Sequence, residues 1–495
     1  MPLSIRLSIA FLSLFISTIS LAQNNPAHQF SLDHPEFTSA FEKKVTDIYN
    51  EKNMVGDFIF AVVDENGLVY SFAINKDITE GRPSALNNDS PIYIASHTKS
   101  FMGTLAAILE EDDELKLDGT LSEYLPDLTF DGSIDTDAIT VQSLLNHTHG
   151  TFSTGLTWKT AYLGYSGKNS ELIKDMNTKF LHDPSGKFRY SNVGPILAGI
   201  IVEDETGKSW KDQMSKRIFK PLGMDRTSAY VSDFTLEEIL TSITVNSDNE
   251  IVDSGFYKTD ITMHAAGGIL STMNDLSKWL QANINQDPSL LSANGWEKLH
   301  SPTTDQDREY FTYHRTGYSL GWDIAEYQGE EILTRFGGLA GISFHISFMP
   351  DKEIGIIAFS NENRAYILPH LMANYVYNQL KGLAADSIFT EEKLRFDESF
   401  ERENNIEYPK ESQLLRKSDG IASITGVYQN TGGWPDININ ETEAGYSFTW
   451  GELDGLIYKT ADENYTSNLG PLFREFKIQG DSLLTGSLIY HRIEN

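Results

Sequence analysis

The sequence predicts an α+β fold: a sandwich whose sheet is assembled from both ends of one large domain, followed by a small all-β unit. Three observations carry that expectation. A hairpin-like pair of apolar runs stands near the start, helical patterns fill the middle, and strand patterns return late in the chain. Strands and helices segregated in this way, rather than regularly alternating, mark α+β organisation. The 495 residues leave room for both units at about 100 to 200 residues per domain.

The first segment stands apart from the fold. Met1 to Arg6 carries one positive charge, Leu7 to Leu21 is free of charge, and Ser20-Leu21-Ala22 gives the small-x-small pattern of a signal peptidase site. Residues 1–22 therefore read as an export signal cleaved after Ala22, with a periplasmic or secreted protein as the consequence and no stable membrane span after its removal. The apolar run is shorter than the ~20 residues that cross a bilayer, and no cysteine follows it to take a lipid.

Over 35–53, Phe37, Phe41, Val45 and Ile48 recur at helical spacing and predict an amphipathic helix. The runs 58–63 and 69–73, separated by Asp64-Glu65-Asn66-Gly67, predict a hairpin. Helical patterns then dominate to about residue 230. Strands are expected over 318–322, 341–349 and 353–359, and a helix over 368–381. Residues 384–418 are charge-rich, include Glu401-Arg402-Glu403-Asn404, and read as a connecting segment between a main domain over 28–383 and a β unit over 419–495. Alternation over 436–440, 446–450 and 473–478 makes that unit a small antiparallel sheet or barrel.

Composition excludes several function classes. Hydrophobic residues at 40 % and charged residues at 22 % fit a folded globular chain rather than a disordered one. The absence of cysteine removes disulfides, thiolate metal sites and a cysteine nucleophile. Asp plus Glu number 70 against 39 Lys plus Arg, a net charge of −31 that disfavours nucleic acid and anionic membranes as partners. His147 and His149 stand without an H-E-x-x-H frame, so they read as structural, and no metal or cofactor is expected.

Three short stretches carry chemistry. In Pro91-Ile92-Tyr93-Ile94-Ala95-Ser96-His97-Thr98-Lys99 a β-branched run leads into a helix, which puts Ser96 at a helix start, where free N–H groups and the positive end of the macrodipole favour an oxyanion. Lys99 follows at i+3, on the same face as the Ser96 hydroxyl. A capping serine with a solvent-facing lysine would have the same spelling. However, the helix over 101–109 is apolar nearly all round, so the lysine needs a partner or a depressed pKa. In Phe188-Arg189-Tyr190-Ser191-Asn192 the i, i+2 spacing sends Tyr190 and Asn192 to one side of an extended backbone, although for a single Tyr-x-Asn a packed tyrosine with a capping asparagine is the commoner explanation. The third is the glycine-rich turn Arg335-Phe336-Gly337-Gly338-Leu339-Ala340-Gly341, whose glycines permit either a tight turn or close approach of a ligand.

In this order and spacing, the three stretches resemble those of the serine β-lactamase and penicillin-binding protein superfamily, in its class C branch with the related D,D-peptidases and family VIII-type esterases. The resemblance covers about 36–381. It is supported by Leu115-Lys116-Leu117-Asp118, Tyr124-Leu125-Pro126, the run from Ile139 to Thr148, Pro221-Leu222-Gly223-Met224, Ala266-Gly267-Gly268 and Leu320-Gly321-Trp322. It implies an antiparallel sheet flanked by helices with a helical subdomain. It also implies Ser96 as an acylated nucleophile, Lys99 and Tyr190 as its proton-transfer pair, and Asn192 as a contact to Lys99 and substrate. Gly337, Gly338 and Leu339 would line the substrate, with the oxyanion held by the N–H groups of Ser96 and Leu339. The substrate class implied is a small-molecule or peptide-like ester or amide.

One departure stands out. Where lactamases and peptidases begin the third motif with Lys or His, the reading places Phe336, which removes a cation that would lower the phenol pKa and bind a substrate carboxylate. That favours uncharged esters over β-lactams and D-alanyl peptides, with a D,D-carboxypeptidase or lactamase activity, or a non-catalytic binding or sensor module, as the alternatives. Because all candidate residues precede Lys381, the C-terminal unit is expected to be dispensable for acylation. Gly317-Tyr318-Ser319-Leu320-Gly321 also matches a nucleophile elbow, but Trp322-Asp323-Ile324 continues extended where that motif needs a helix.

Overall fold

The computed structural model describes residues 35–493 apart from 77–85, 179, 246–249, 420–423, 462–463 and 471, so the export signal read over 1–22 lies outside the described residues. Helix α1 (Pro35–Lys52) buries the stripe Phe37, Phe41, Val45 and Ile48. Phe41 packs on Phe60 at 4.5 Å between ring centroids. The hairpin follows as β1 (Phe58–Asp64) and β2 (Gly67–Ile74), turning at Gly67 with φ 115°, a backbone conformation that glycine reaches without strain.

Six further strands come from the second half of the domain: β3 (Thr304–Tyr310), β4 (Tyr313–Tyr318), β5 (Asp323–Tyr327), β6 (Glu330–Leu339), β7 (Ile342–Met349) and β8 (Ile354–Ser360). They form an eight-stranded sheet in the order β2-β1-β8-β7-β6-β5-β4-β3. All its pairings are antiparallel, and β1 closes on β8 from Phe58↔Ser360 to Asp64↔Ile354. The sheet is thus built from both ends of the domain. Its side chains alternate between two cores: Ile59, Ala61, Val63, Leu333 and Leu339 face one, and Phe58, Phe60, Val62, Ile332 and Phe336 the other.

The first core is filled by the helical region, with α2 (Thr98–Glu111), α3 (Val193–Thr206) and α4 (Met273–Asn285). The second is filled by α1 and α5 (Leu368–Leu380). Of the stretch 318–322, expected as a strand, only Tyr318 belongs to β4, and 319–322 form the turn between β4 and β5. Ser319 donates its N–H to the Trp322 carbonyl at 3.0 Å, and its hydroxyl accepts from the Trp322 N–H at 3.2 Å. This turn lies against α2, where a Cβ on Gly103 would come within 2.3 Å of the Leu320 carbonyl oxygen.

The segment 384–418 is not a bare connection. It opens with α6 (Ala385–Asn404), whose Phe389, Phe396 and Phe400 are buried against the second core. Three apolar anchors in 20 residues are enough to dock a helix, but the charges around them hide the period in the sequence.

The C-terminal unit is a closed barrel of eight strands in sequence order: β9 (Gly426–Gln429), β10 (Ile437–Glu441), β11 (Tyr446–Trp450), β12 (Leu453–Ala461), β13 (Asn464–Leu469), β14 (Leu472–Gln479), β15 (Ser482–Thr485) and β16 (Leu488–Arg492). Pairing of β9 with β16 at Tyr428↔Arg492 closes it and leaves no free sheet edge. Its core holds Tyr428, Phe448, Trp450 and Tyr490, and Leu163 of the main domain is part of the same cluster.

Candidate active site

Ser96 lies in the 3₁₀ turn Ala95–His97 that leads into α2. Ala95 is held at φ 45°, a left-handed conformation that costs a residue with a Cβ about 1 kcal/mol or more and is kept only where its surroundings enforce it. Those surroundings are specific. The Ile94 N–H donates to the Ile269 carbonyl at 3.2 Å, and the Ser96 carbonyl accepts from Arg335 Nε at 3.3 Å. Beneath the turn, Trp279 Nε1 donates to His97 Nε2 at 2.9 Å, and burial holds that imidazole neutral, well below its usual pKa.

Lys99 is buried, and its Nζ donates to Ser96 Oγ at 3.2 Å, Asn192 Oδ1 at 2.8 Å and the Ala266 carbonyl at 2.7 Å, which uses all three ammonium protons. The Tyr190 hydroxyl donates to the same Ser96 oxygen at 2.9 Å. Asn192 stands at the start of α3 but its side chain makes no cap there; its carbonyl oxygen is given to Lys99. Tyr190 as a residue is 36 % exposed, and its ring lies 4.7 Å from the His147 ring, between centroids.

The electrostatics of the pair follow from this placement. Burial drives the Lys99 pKa down, the Tyr190 phenol opposes the shift, Arg335 adds to it, and the value falls to about 8. Burial pushes the Tyr190 phenol up, but the Arg335 guanidinium and the Lys99 ammonium outweigh it and bring the phenol down to about 8. Two groups matched in this way beside one serine oxygen can share a proton at little cost.

The third stretch corrects the sequence reading by one residue. Phe336 lies on the far face of β6, packed 4.7 Å from Tyr310, 5.0 Å from His345 and 5.3 Å from His370, all between ring centroids. By the period of two along a strand, Arg335 and Gly337 face Ser96 instead. A Cβ on Gly337 would lie 2.4 Å from the Ile94 carbonyl oxygen, so this is the glycine that contact with the nucleophile's turn demands. Arg335 is 4 % exposed, has its guanidinium carbon 4.9 Å from the Tyr190 ring centroid, and pairs through Nη1 with Asp323 Oδ2 at 2.7 Å. Arg315 holds the same carboxylate at 3.2 Å. The cation thought missing is therefore present, supplied by the residue before Phe336. The signal that would have found it was alternation along β6: Leu333, Arg335 and Gly337 share a face. Asp323 gave no sequence signal of its own.

Ser96, Asn192, Gly338 and Leu339 line one cavity of about 70 Å³, together with Lys258 and His264, which the motifs did not flag. Ser319 is fully buried in its turn. His149 Nδ1 accepts from the Thr151 N–H at 3.1 Å, and no group of three metal-ligating side chains occurs among the described residues. A cleft of about 480 Å³ lies between Phe152 and Trp434 of the barrel and contains none of the candidate residues.

The family model described as Beta-lactamase matches residues 41–366, which is more than half of the chain. The chain belongs to the β-lactamase family. Its relatives include proteins named as a hydrolase, an amidase and a β-lactamase. The unguisins hydrolase ungD' of Aspergillus campestris is 25 % identical over 281 residues, covering 55 % of this chain and 53 % of that protein. Protein flp of Staphylococcus aureus (strain MW2) is 22 % identical over 308 residues, covering 61 % and 60 %. The chain thus aligns with little more than half the length of these curated relatives. Among solved structures, the octameric penicillin-binding protein homologue from Pyrococcus abyssi superposes with a TM-score of 0.61 at 19 % identity, covering 92 % of this chain and 99 % of that one. The D-amino acid amidase of Ochrobactrum anthropi SV3 gives 0.57 at 20 % identity over 75 % of this chain and all of its own. A class C β-lactamase mutant gives 0.55 at 20 % identity over 70 % and 98 %.

Proposed function

We propose that the protein is an acylating serine hydrolase acting on an ester or amide carbonyl. The observation that carries this is the convergence of Lys99 Nζ and the Tyr190 hydroxyl on Ser96 Oγ, at 3.2 Å and 2.9 Å. In the reaction the Lys99–Tyr190 pair takes the Ser96 proton as Oγ attacks the carbonyl. The carbonyl oxygen becomes an oxyanion beside the Ser96 N–H and, with the register moved by one, the N–H of Gly338 rather than Leu339. Collapse breaks the bond to the leaving group, which receives the proton through Tyr190. Water then attacks the acyl-Ser96 and gives its proton to the same pair, which passes it to Ser96 Oγ as the acyl–oxygen bond breaks and the acid leaves. Two groups on the Ser96 oxygen, with Asn192 holding Lys99, favour an enzyme over a binding module that merely kept the fold.

The preference for uncharged esters rested on Phe336 standing in place of a cation. With Arg335 beside Tyr190, the half of that argument that concerns the phenol loses its ground, whereas Arg335 is buried on Asp323 and the Ser96 carbonyl and offers no contact to a substrate carboxylate. The export signal read over 1–22 places the enzyme outside the cytoplasm; N-terminal sequencing of the mature protein, beginning at Gln23, tests that. The hydrolase reading is tested by intact-mass analysis after reaction with a fluorophosphonate. A single adduct is expected on the wild type and on Ser319→Ala but not on Ser96→Ala, and labelling that persists in Ser96→Ala would overturn the assignment.

A further inference from the structure

The cavity beside Ser96 contains a second lysine that the mechanism above leaves unused. Lys258 is 3 % exposed, and its Nζ donates to two backbone carbonyls, Ala161 and Thr262, each at 3.0 Å. An ammonium has three N–H donors, so one is left over; Nζ lies 5.5 Å from the Tyr162 ring centroid, and both residues line the cavity. No carboxylate pairs with Lys258 among the described residues. His264 lines the same cavity, and its Nδ1 is buried without a hydrogen-bond partner. A lysine with a spare donor and a histidine with an unpaired ring nitrogen, both on the wall of the space next to Ser96, make a candidate recognition site.

The charge and size of the site narrow the ligand. The cavity walls carry no acidic side chain among the described residues, so a free amine, such as the α-amine of an amino-acid amide, finds no counter-charge there. A carboxylate does. Tyr190, which hands the proton to the leaving group, is not among the residues that line this cavity, so the leaving group departs on the Tyr190 side and the acyl portion occupies the Lys258 side. A volume of about 70 Å³ takes only a few heavy atoms.

We infer that Lys258 and His264 form an acyl-end subsite for a short acyl group ending in a carboxylate, such as the half-ester or half-amide of a small dicarboxylic acid. This rests on the serine hydrolase reading of Ser96. Burial, with the Lys211 charge adding to it, pushes the Lys258 amine down to about 7, and an anion in the subsite would favour its charged form. A lysine whose task was only to tie Ala161 to Thr262 would need no open space in front of it.

The test compares kcat/KM for monoethyl succinate and ethyl succinamate, which differ by a carboxylate against a carboxamide of the same size. The wild type is expected to favour the succinate half-ester by about tenfold or more, the range of one charge-assisted contact, and Lys258→Met to bring the ratio down by a similar factor. A wild-type ratio near one, or a ratio unchanged in Lys258→Met, overturns the subsite. Should the variant lack a cooperative melt, the wild type decides: succinate is expected to slow fluorophosphonate labelling of Ser96 at concentrations where succinamide does not, and equal protection overturns the inference. A wild-type protein that is neither labelled nor active on either ester fails as a hydrolase, and the subsite falls with it. Labelling and neutral-ester turnover without the succinate preference remove the subsite alone.

Discussion

Arg335 decides how the site behaves with pH. It is the leading influence that lowers the Tyr190 phenol against burial, and it also lowers Lys99. With both groups brought to about 8, kcat/KM should rise with pH through a limb near that value. Removing a cation raises the pKa of every neighbour whose deprotonated form it favoured. Arg335→Gln is therefore expected to move the limb upward by about one unit and to cut kcat/KM at pH 7 by about tenfold, while Arg335→Lys recovers much of the loss. A pH–rate profile of the three proteins checks this, and an unmoved limb in Arg335→Gln would exclude Arg335 as the tuning charge. Phe336 gives the converse prediction. Its ring is buried among Tyr310, His345 and His370, so Phe336→Lys puts a charge into an aromatic cluster rather than into the active site. A loss of about 3 kcal/mol or more of stability is expected by denaturant titration, with no gain on carboxylate-bearing substrates.

At the scale of elements, strand β6 shows what a sequence reveals and what it withholds. The motif residues Ser96, Lys99, Tyr190 and Asn192 were legible because each sits at a helix start or a short extended run whose spacing fixes its direction. The third stretch was legible as a glycine-rich turn, but two adjacent glycines left the register open by one residue. Only contact with a distant turn, Ala95–His97, breaks that tie, and long-range contact is what local pattern does not encode. The two glycines should therefore differ. A methyl at 337 meets backbone, the Ile94 carbonyl oxygen at 2.4 Å, whereas a methyl at 338 meets the Tyr366 hydroxyl, a side-chain tip, at 3.0 Å. Gly337→Ala is expected to lower the acylation rate by about a hundredfold by displacing the nucleophile's turn, and Gly338→Ala to cost clearly less. Equal losses in stopped-flow acylation would return the register to the original reading. Lys258 and His264 escaped the motif search for the same reason: they reach the cavity from a loop with no periodic signal. Helix α6 was missed because Phe389, Phe396 and Phe400 supply too thin a stripe to stand out among charged neighbours.

At the scale of the whole molecule, the barrel is tied to the wall of the active site. The stretch 154–163, a short helix running into a wider turn, presents Thr157, Ala161 and Tyr162 to the Ser96 cavity. Its other side belongs to the barrel. Trp158 stacks on Trp450 at 5.8 Å, Leu163 is buried in the barrel core, the Leu163 carbonyl accepts from the Glu452 N–H at 2.9 Å, and Lys159 Nζ donates to the Gly433 carbonyl at 3.2 Å. Ala161 also supplies one of the two carbonyls that hold Lys258. Removing the barrel would leave this wall without its backing, so the sequence expectation that the C-terminal unit is dispensable does not follow from the positions of the motif residues. The sharper test keeps the chain whole. Trp158→Ala cuts the stack with Trp450 while leaving Ser96, Lys99, Tyr190 and Arg335 in place. Because displacing a substrate by about 1 Å is enough to cost a large factor in rate, kcat/KM is expected to fall by about tenfold, with acylation rather than fluorophosphonate-competent folding as the step affected. Two separated thermal transitions should replace a single one as the barrel and the main domain lose their shared cluster. Wild-type kinetics in Trp158→Ala would show that the barrel only rides on the enzyme, and that the wall of the Ser96 cavity is held from within the main domain.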